Sequence, residues 1–278
     1  MITIRDILTN AKKRLIHSDT AALDAQVLLC HVLQVERVHL FAHDDDTLTA
    51  EQVTQFDALL KRRITGEPIA YILGKQGFYD LTFNVTSDVL IPRPETELLL
   101  EDALRLMASQ PDCVAVDIGT GSGALAVTFQ KHMPNSTVYA VDLSEDALAI
   151  ANTNCQNNKV DVTLLQGNLA QPLIERGIQA HLVMANLPYI RSDVMPELAV
   201  TQHEPHMALD GGADGLDFIR ELFNQLPAIC YEGAWILLEI GADQGDALQA
   251  LVRDQFDLPC DILQDYAELD RIGRFQMA

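Results

Sequence analysis

Positive charge is scarce in this chain: 19 Lys and Arg stand against 40 Asp and Glu among 278 residues, a formal net charge of −21. So negative a protein gains no general attraction to phosphate backbones or anionic membranes, and nucleic-acid binding would need a strong local basic site. Long apolar runs are missing too. The opening Met1-Ile2-Thr3-Ile4-Arg5-Asp6 lacks the apolar core of a signal peptide, and no run approaches the roughly 20 residues that span a bilayer. The five cysteines (Cys30, Cys113, Cys155, Cys230, Cys260) are odd in number, scattered and without a Cys-x-x-Cys pair. Reduced, mostly buried thiols in a cytoplasmic protein are therefore expected. No repeat or low-complexity tract stands out.

The charge that is present divides unevenly. Residues 1–75 carry 9 basic and 10 acidic side chains, whereas residues 76–278 carry 10 and 30, which suggests two domains with different tasks. The first part reads as helices. Ile4, Ile7, Leu8, Ala11 and Leu15 follow the spacing of one helical face, and Leu23, Val27, Cys30 and Leu33 suggest a second. A third helix starts at a capping box, Thr49 to Gln52, continues through Val53, Phe56 and Leu60, and stops near Gly66 and Pro68. The basic clusters Lys12-Lys13-Arg14 and Lys61-Arg62-Arg63 read as solvated helix faces. Residues 76–95 suggest short extended pieces, Phe78 to Val85 and Val89 to Ile91, around Thr86-Ser87-Asp88. Pro92 and Pro94 end any strand, and Pro94 suits the first turn of a helix reaching Met107.

From Cys113 the pattern alternates between apolar strands and helices, as in an open α/β sheet. Strands are expected at Val114–Ile118, Thr137–Val141, Val162–Leu165, His181–Ala185 and Ala234–Ile240, with helices at Gly123–His132 and Glu145–Asn154. Asp261–Tyr266 and Ile272–Met277 lie too close together for a parallel crossover, so they should pair antiparallel if they are neighbours.

The strongest local motif is Asp117-Ile118-Gly119-Thr120-Gly121-Ser122-Gly123 at the end of the first sheet strand. Its glycines let backbone approach a ligand closely and turn sharply into a helix. Asp142 ends the second strand 19 residues after Gly123, where a carboxylate can accept both hydroxyls of a ribose. Alone, this pair fits a nicotinamide cofactor or S-adenosylmethionine equally well. The fourth strand decides, because it ends in Ala185-Asn186-Leu187-Pro188-Tyr189-Ile190. An amide or exocyclic amine nitrogen is a poor nucleophile, and two acceptors aimed at its hydrogens orient it as charge builds on nitrogen. The Asn186 side-chain oxygen and the Leu187 carbonyl suit that task, Pro188 stiffens the turn, and Tyr189 can pack on a flat group. A methyl sulfonium would be the electrophile, with proton loss to solvent afterwards, so no histidine base is required. His203 and His206 flank Glu204-Pro205, but with one nearby carboxylate no metal is expected. Trp235 reads as core, and Arg93 as either a ligand contact or a surface arginine beside a proline turn.

With these residues in view, the chain resembles the PrmC/HemK family, methyltransferases of the glutamine in the Gly-Gly-Gln loop of peptide chain release factors. The likeness covers nearly the whole length. It rests on Pro92-Arg93-Pro94-Glu95-Thr96-Glu97, Asp117–Gly123, Asp142, Asn186–Tyr189, and the run from Glu204-Pro205-His206 to Asp214-Gly215-Leu216. The resemblance implies a class I, Rossmann-like, S-adenosylmethionine-dependent methyltransferase sheet with an antiparallel C-terminal hairpin, plus a small N-terminal helical bundle. It implies residues 1–75 as a substrate-docking domain, 76–95 as a linker with a short β-hairpin, and 96–278 as the catalytic domain. Asp117, Gly119, Thr120, Gly121, Ser122 and Gly123 would belong to the cofactor site, lining its methionine part, and Asp142 would hold the ribose. Asn168 and Leu169 would sit beside the adenine. Asn186, Leu187, Pro188 and Tyr189 would hold the substrate glutamine, with Asn186 also at the cofactor. S-adenosylhomocysteine would be the product, class I release factors the partners, and a monomer the expected state. Two positions depart from the family pattern: Leu187 replaces the usual first proline, and Gly167-Asn168 stands where a carboxylate is common. Asn-Leu-Pro-Tyr also looks like the motif of ribosomal-RNA adenine dimethyltransferases. Methylation of adenine amino groups in RNA or DNA, or of a ribosomal-protein glutamine, is thus the alternative, and the acidity of residues 76–278 disfavours a nucleic acid.

Overall fold

The computed structural model describes residues 2–278. The chain forms two compact units, Met1–Lys75 and Gln76–Ala278. Helices α1 (Ile4–Arg14), α2 (Ala21–Leu33), α3 (Arg37–Ala42), α4 (Ala50–Ile64) and α5 (Ile69–Leu73) make up the first. α1 and α4 both open on capping boxes, in which Thr3 and Thr49 exchange hydrogen bonds with Asp6 and Gln52. α1 buries Ile4, Ile7 and Ala11 in a core shared with Leu28, Leu29, Phe56 and Leu60.

α2 differs from the expected face: Leu23 is 43% exposed, and Asp24, Ala25, Leu28 and Leu29 are the buried residues. The helix is apolar on most sides, so spacing alone does not single out its inner face. Asp24 is compensated in place, since Arg63 Nε donates to it at 2.7 Å and the Ser18 and Thr20 hydroxyls donate at 2.7 and 2.8 Å. The basic clusters are correspondingly more engaged than solvated faces. Arg14 and Lys61 pair with Asp57, Arg62 with Glu67 and Arg63 with Asp24. Among the described residues no helix is long and apolar enough to cross a membrane.

The second unit begins with a hairpin of β1 (Lys75–Phe78) and β2 (Leu81–Asn84). Val89–Ile91, expected as a further extended piece, joins no strand. The Thr86–Asp88 turn before it and Pro92 after it leave little room for a ladder, and its Ile91 N–H is held by the Glu204 carboxylate at 3.1 Å. Pro94 then opens α6 (Pro94–Met107) from its first turn.

A seven-stranded sheet follows, built from β3 (Val114–Ile118), β4 (Thr137–Asp142), β5 (Val162–Gln166), β6 (Ala180–Ala185), β7 (Cys230–Glu239), β8 (Asp261–Gln264) and β9 (Asp270–Gln276). Helices α7 (Ala124–His132), α8 (Glu145–Asn158), α9 (Gln171–Ile174), α10 (Asp217–Ile229) and α11 (Gly245–Phe256) connect them. The order is β5-β4-β3-β6-β7-β9-β8. β3 to β7 run parallel, and β9 pairs antiparallel with both β7 and β8, so the C-terminal strands do form the hairpin their spacing demands. β7 begins four residues earlier than the apolar pattern predicts. One face of the sheet packs on Leu222, Phe223 and Leu226 of α10 and Leu248 of α11, and the other on Leu99, Leu100, Val127 and Phe129 of α6 and α7. Trp235 is partly buried on the second face, with the Arg274 guanidinium 5.8 Å from its ring centre.

All five cysteines are free thiols, four of them buried. Burial pushes Cys113, Cys155 and Cys260 up to about 11 and Cys230 up to about 12.

One buried side chain joins hairpin, helix and loop. Asn154 of α8 is fully buried; its Oδ1 accepts from the Asn84 N–H at 2.7 Å, and its Nδ2 donates to the Asn84 and Ser122 carbonyls at 3.0 and 2.8 Å. Asn154→Ala would leave these backbone groups without partners and is expected to destabilise this unit by about 2–4 kcal/mol. The single tryptophan, Trp235, reports this unit, and a lowered urea midpoint of its fluorescence checks the prediction.

Candidate active site

Parallel strands β3, β4, β5 and β6 all end at the same edge, and the chain winds one way from β3 to β5 and the other way from β3 to β7. Crevices form where an open sheet reverses its winding in this manner. Here the crevice is walled by the loop after β3, the ends of β4 and β5, the exit of β6, and the stretch Asp88–Thr96.

The loop after β3 is held to β4 by the Gly119 and Thr120 N–H groups, which both donate to the Val141 carbonyl at 2.9 and 3.0 Å, and by two carboxylates. Asp117 is 1% exposed; its Oδ2 accepts from the Thr120 hydroxyl at 2.6 Å and the Ala126 N–H at 3.2 Å. Burial pushes its carboxyl up to about 7, against the pull of those two donors. Asp142 Oδ2 accepts from the Gly121 N–H at 2.8 Å and its Oδ1 from the Ser144 N–H at 2.9 Å. Its carboxyl is also raised by burial. Each carboxylate oxygen keeps a second lone pair, so Asp142 can still accept from a ligand's hydroxyls. Gly123, with φ +81°, caps α7, and a Cβ there would press within 3.2 Å of Ala151. It sits behind the crevice wall, whereas Gly119, Thr120, Gly121 and Ser122 line it.

At the end of β5, Gly167, Asn168 and Leu169 reach the crevice. Asn168 Nδ2 donates to Glu221, and a Cβ at Gly167 would lie 2.3 Å from Pro172 Cγ. A side chain at 167 is thus excluded by the proline that opens α9. Leu143, 53% exposed, and Phe218 add apolar surface to the crevice. Its charged lining is Asp88, Asp117 and Asp142 against Arg93, and Arg93 is neutralised by buried Glu204. Such a site favours a cation.

The exit of β6 brings Asn186, Leu187 and Pro188 to the crevice. The Asn186 Nδ2 donates to the Thr96 hydroxyl at 3.1 Å, and Thr96 Oγ1 donates to Glu239 Oε2 at 2.6 Å. Leu187 is 5% exposed and packs against Gly119, whose Cβ would meet it at 3.0 Å. Tyr189 does not line the crevice; its hydroxyl turns to Glu239 Oε1 at 3.3 Å. Burial, with the carboxylate beside it, raises that phenol far above its ordinary value.

The family-specific segments act on this exit from behind. Glu204 is 5% exposed and binds both the Arg93 guanidinium and the Ile91 N–H, tying the proline-rich box to the segment 204–216. Arg93 is therefore neither a free surface arginine nor a side chain with only a ligand to meet. The Ile190 N–H donates to the Leu209 carbonyl at 3.0 Å, and the Gly211 N–H to the Ile190 carbonyl at 2.7 Å. Gly215, at φ +78°, lies so close that a Cβ would fall 2.1 Å from the Tyr189 carbonyl.

Thr96, Glu204 and Glu239 escaped the sequence reading as individual site residues. Glu239 left one signal, a lone carboxylate in the apolar run Trp235–Ile240. Among the described residues the one His/Cys/Asp/Glu grouping with metal-ligand spacing is His39, His43 and Asp46, which includes neither His203 nor His206.

Comparisons with known proteins place the chain in a family. Residues 6–74 match the model of the PrmC N-terminal domain, and residues 115–202 match that of a methyltransferase domain. A release factor glutamine methyltransferase of Vibrio cholerae is 37% identical over 275 residues, 98% of this chain and 96% of that one. The Coxiella burnetii protein of the same name is 38% identical over 255 residues, 91% of each chain. Among solved structures, the hMettl16 catalytic domain in complex with MAT2A 3'UTR hairpin 6 has a TM-score of 0.57 at 12% identity, covering 83% of each chain. That likeness concerns the class I methyltransferase fold alone. With such identity to its relatives over nearly its entire length, the chain belongs to the release factor glutamine methyltransferase family.

Proposed function

We propose that the protein transfers a methyl group from S-adenosylmethionine to the side-chain amide nitrogen of the glutamine in the Gly-Gly-Gln loop of class I release factors, leaving S-adenosylhomocysteine. The observation that carries this reading is the Asn186 amide at the crevice, anchored through Nδ2 on Thr96, beside a negatively lined pocket at the switch point of the sheet. The residues present suit the cofactor: Asp142 has acceptor capacity for ribose hydroxyls, Gly119–Ser122 expose backbone to a close ligand, and Leu143, Asn168 and Leu169 offer a mixed apolar and polar wall for a purine. When bound, S-adenosylmethionine supplies an electrophilic methyl carbon on a cationic sulfonium.

The chain's own part in the reaction is orientation. Asn186 Oδ1 and the Leu187 carbonyl would accept from the two N–H bonds of the substrate carboxamide, holding its nitrogen toward the methyl group and favouring the positive charge that develops on it. Leu187 retains the carbonyl that proline would offer, and its buried side chain replaces ring stiffness by packing. The methylated nitrogen is strongly acidic and loses its proton to water without a dedicated base. Tyr189 serves from behind, through Glu239, rather than as a lid on the substrate. Residues 1–75 would dock the release factor, residues 76–95 link, and residues 96–278 catalyse. The acidity of residues 76–278 favours a protein loop over RNA.

Protein incubated with labelled S-adenosylmethionine and a release factor is expected to place the label on the glutamine of the Gly-Gly-Gln loop, mapped by mass spectrometry. Label on RNA and none on the factor would reverse the substrate assignment. Asn186→Ala should reduce turnover by about 100-fold or more while the cofactor dissociation constant changes little. For Asp142→Ala the expectation is opposite: calorimetry should register weakened cofactor binding, about 10-fold or more for loss of a charge-assisted pair of hydrogen bonds.

A further inference from the structure

Glu239 does not line the crevice in which the reaction would take place. It ends the interior strand β7, is 1% exposed, and sits where an apolar side chain would be far less costly to bury. The structure around it supplies a reason. An ionised carboxylate only accepts, so with Glu239 charged the Thr96 proton must point to Oε2 and the Tyr189 proton to Oε1. The Thr96 oxygen is then left with lone pairs, which can receive only the NH2 end of the Asn186 amide, as its 3.1 Å contact with Nδ2 records. The direction of one hydrogen bond fixes the direction of the next. Asn186 Oδ1 becomes the end available to a substrate.

We propose that Glu239 is a positioning residue which, through Thr96, determines that the Asn186 amide receives the substrate carboxamide with its oxygen rather than its nitrogen. The inference rests on the reading of Asn186 as the acceptor for the substrate amide. It also gives the threonine of the Pro-Arg-Pro-Glu-Thr-Glu box a chemical duty. If Glu239 carries a proton, or is an amide, it can donate to Thr96. Thr96 then donates to Asn186, draws Oδ1 toward itself, and turns Nδ2 to the substrate, so that two NH2 groups face each other.

The groups around Glu239 set when this happens. Thr96 from α6, Tyr189 from the β6 exit and Arg271 from β9 favour the charged carboxylate, while burial and Glu95 of α6 oppose it. Arg271 is itself paired with Asp265. Burial prevails and pushes the carboxyl up to about 7. Glu239 is therefore ionised, and Asn186 held in that direction, above that pH; protonation below it lifts the constraint, because the carboxyl can then donate to Thr96. Asp117 and Asp142 are raised as well, but they hold the loop after β3, so their titration should appear in the apparent affinity for S-adenosylmethionine and not in kcat at saturating cofactor.

The test has two arms on the full chain. In the first, kcat toward a release factor is measured at saturating S-adenosylmethionine across pH 6–9, a window chosen to bracket the Glu239 value of about 7. Wild type should rise through about 7. Glu239→Gln should have kcat lowered by about 10- to 100-fold, as for loss of other orienting partners, with that pH dependence gone and cofactor affinity retained. Thr96→Val should behave in the same way and Thr96→Ser should recover most of the activity, which covers the case that Glu239→Gln fails to fold. In the second arm, the Asn186 side-chain NH2 signals, assigned by their loss in Asn186→Ala, are followed by NMR without substrate. They should titrate near pH 7 in wild type and not in Glu239→Gln or Thr96→Val. An unchanged kcat in Glu239→Gln and Thr96→Val, or Asn186 signals that titrate identically in those variants, overturns the proposal. If wild type fails to methylate the release factor, the substrate assignment falls, and the NMR arm alone decides the orientation.

Discussion

The winding of the sheet is the constraint from which the site follows. Parallel neighbours need a crossover that returns the chain to the starting edge, so β3, β4, β5 and β6 must all deliver their exits to one side. Reversal at β3 then leaves no crossover to cover the gap between the β3 and β6 exits. The chain fills that gap with irregular backbone, whose N–H groups need partners. The Val141 carbonyl of β4 takes two of them, and side-chain carboxylates add to it: Asp117 and Asp142 at the loop after β3, and Glu204 at the stretch before α6. The abundance of acid in this unit is thus partly structural.

This division explains what could be read from the sequence. The β3 loop, Asp142 and the Asn186 exit were legible because each obeys a local rule: glycines where backbone turns, an acid at a strand end, an amide followed by proline. The antiparallel ending of the sheet was legible from the short spacing alone. Thr96 and Glu239 were not, because their meaning lies in a contact 143 residues apart in the chain, and an isolated Glu in an apolar run has no periodic signature. The inner face of α2 was missed for the converse reason, an excess of apolar residues that made several faces equivalent. Tyr189 stood beside the chemistry in sequence yet turns away from the crevice in space, since a strand exit that bends sharply sends successive side chains to different sides.

In the N-terminal unit the same economy of charge appears in a different form. Its two basic clusters read as solvated helix faces, yet Arg14, Lys61, Arg62 and Arg63 are already matched by Asp57, Glu67 and Asp24. Apart from the buried Arg63–Asp24 pair, such pairs contribute little to stability. Their effect is instead to leave Lys12 and Lys13, both exposed and without a salt bridge among the described residues, as the part of these clusters whose field reaches outward.

The buried cysteines bear on the chemistry of a methyl donor. A thiolate attacks a sulfonium methyl carbon far more readily than a carboxamide nitrogen does, so any thiolate within reach would be alkylated first. None of the five cysteines lines the crevice, and with pKa values pushed to about 11 or 12 the four buried ones remain thiols at neutral pH. Burial of sulfur thereby protects the protein from its own reagent and leaves a weak nucleophile as the acceptor that geometry selects.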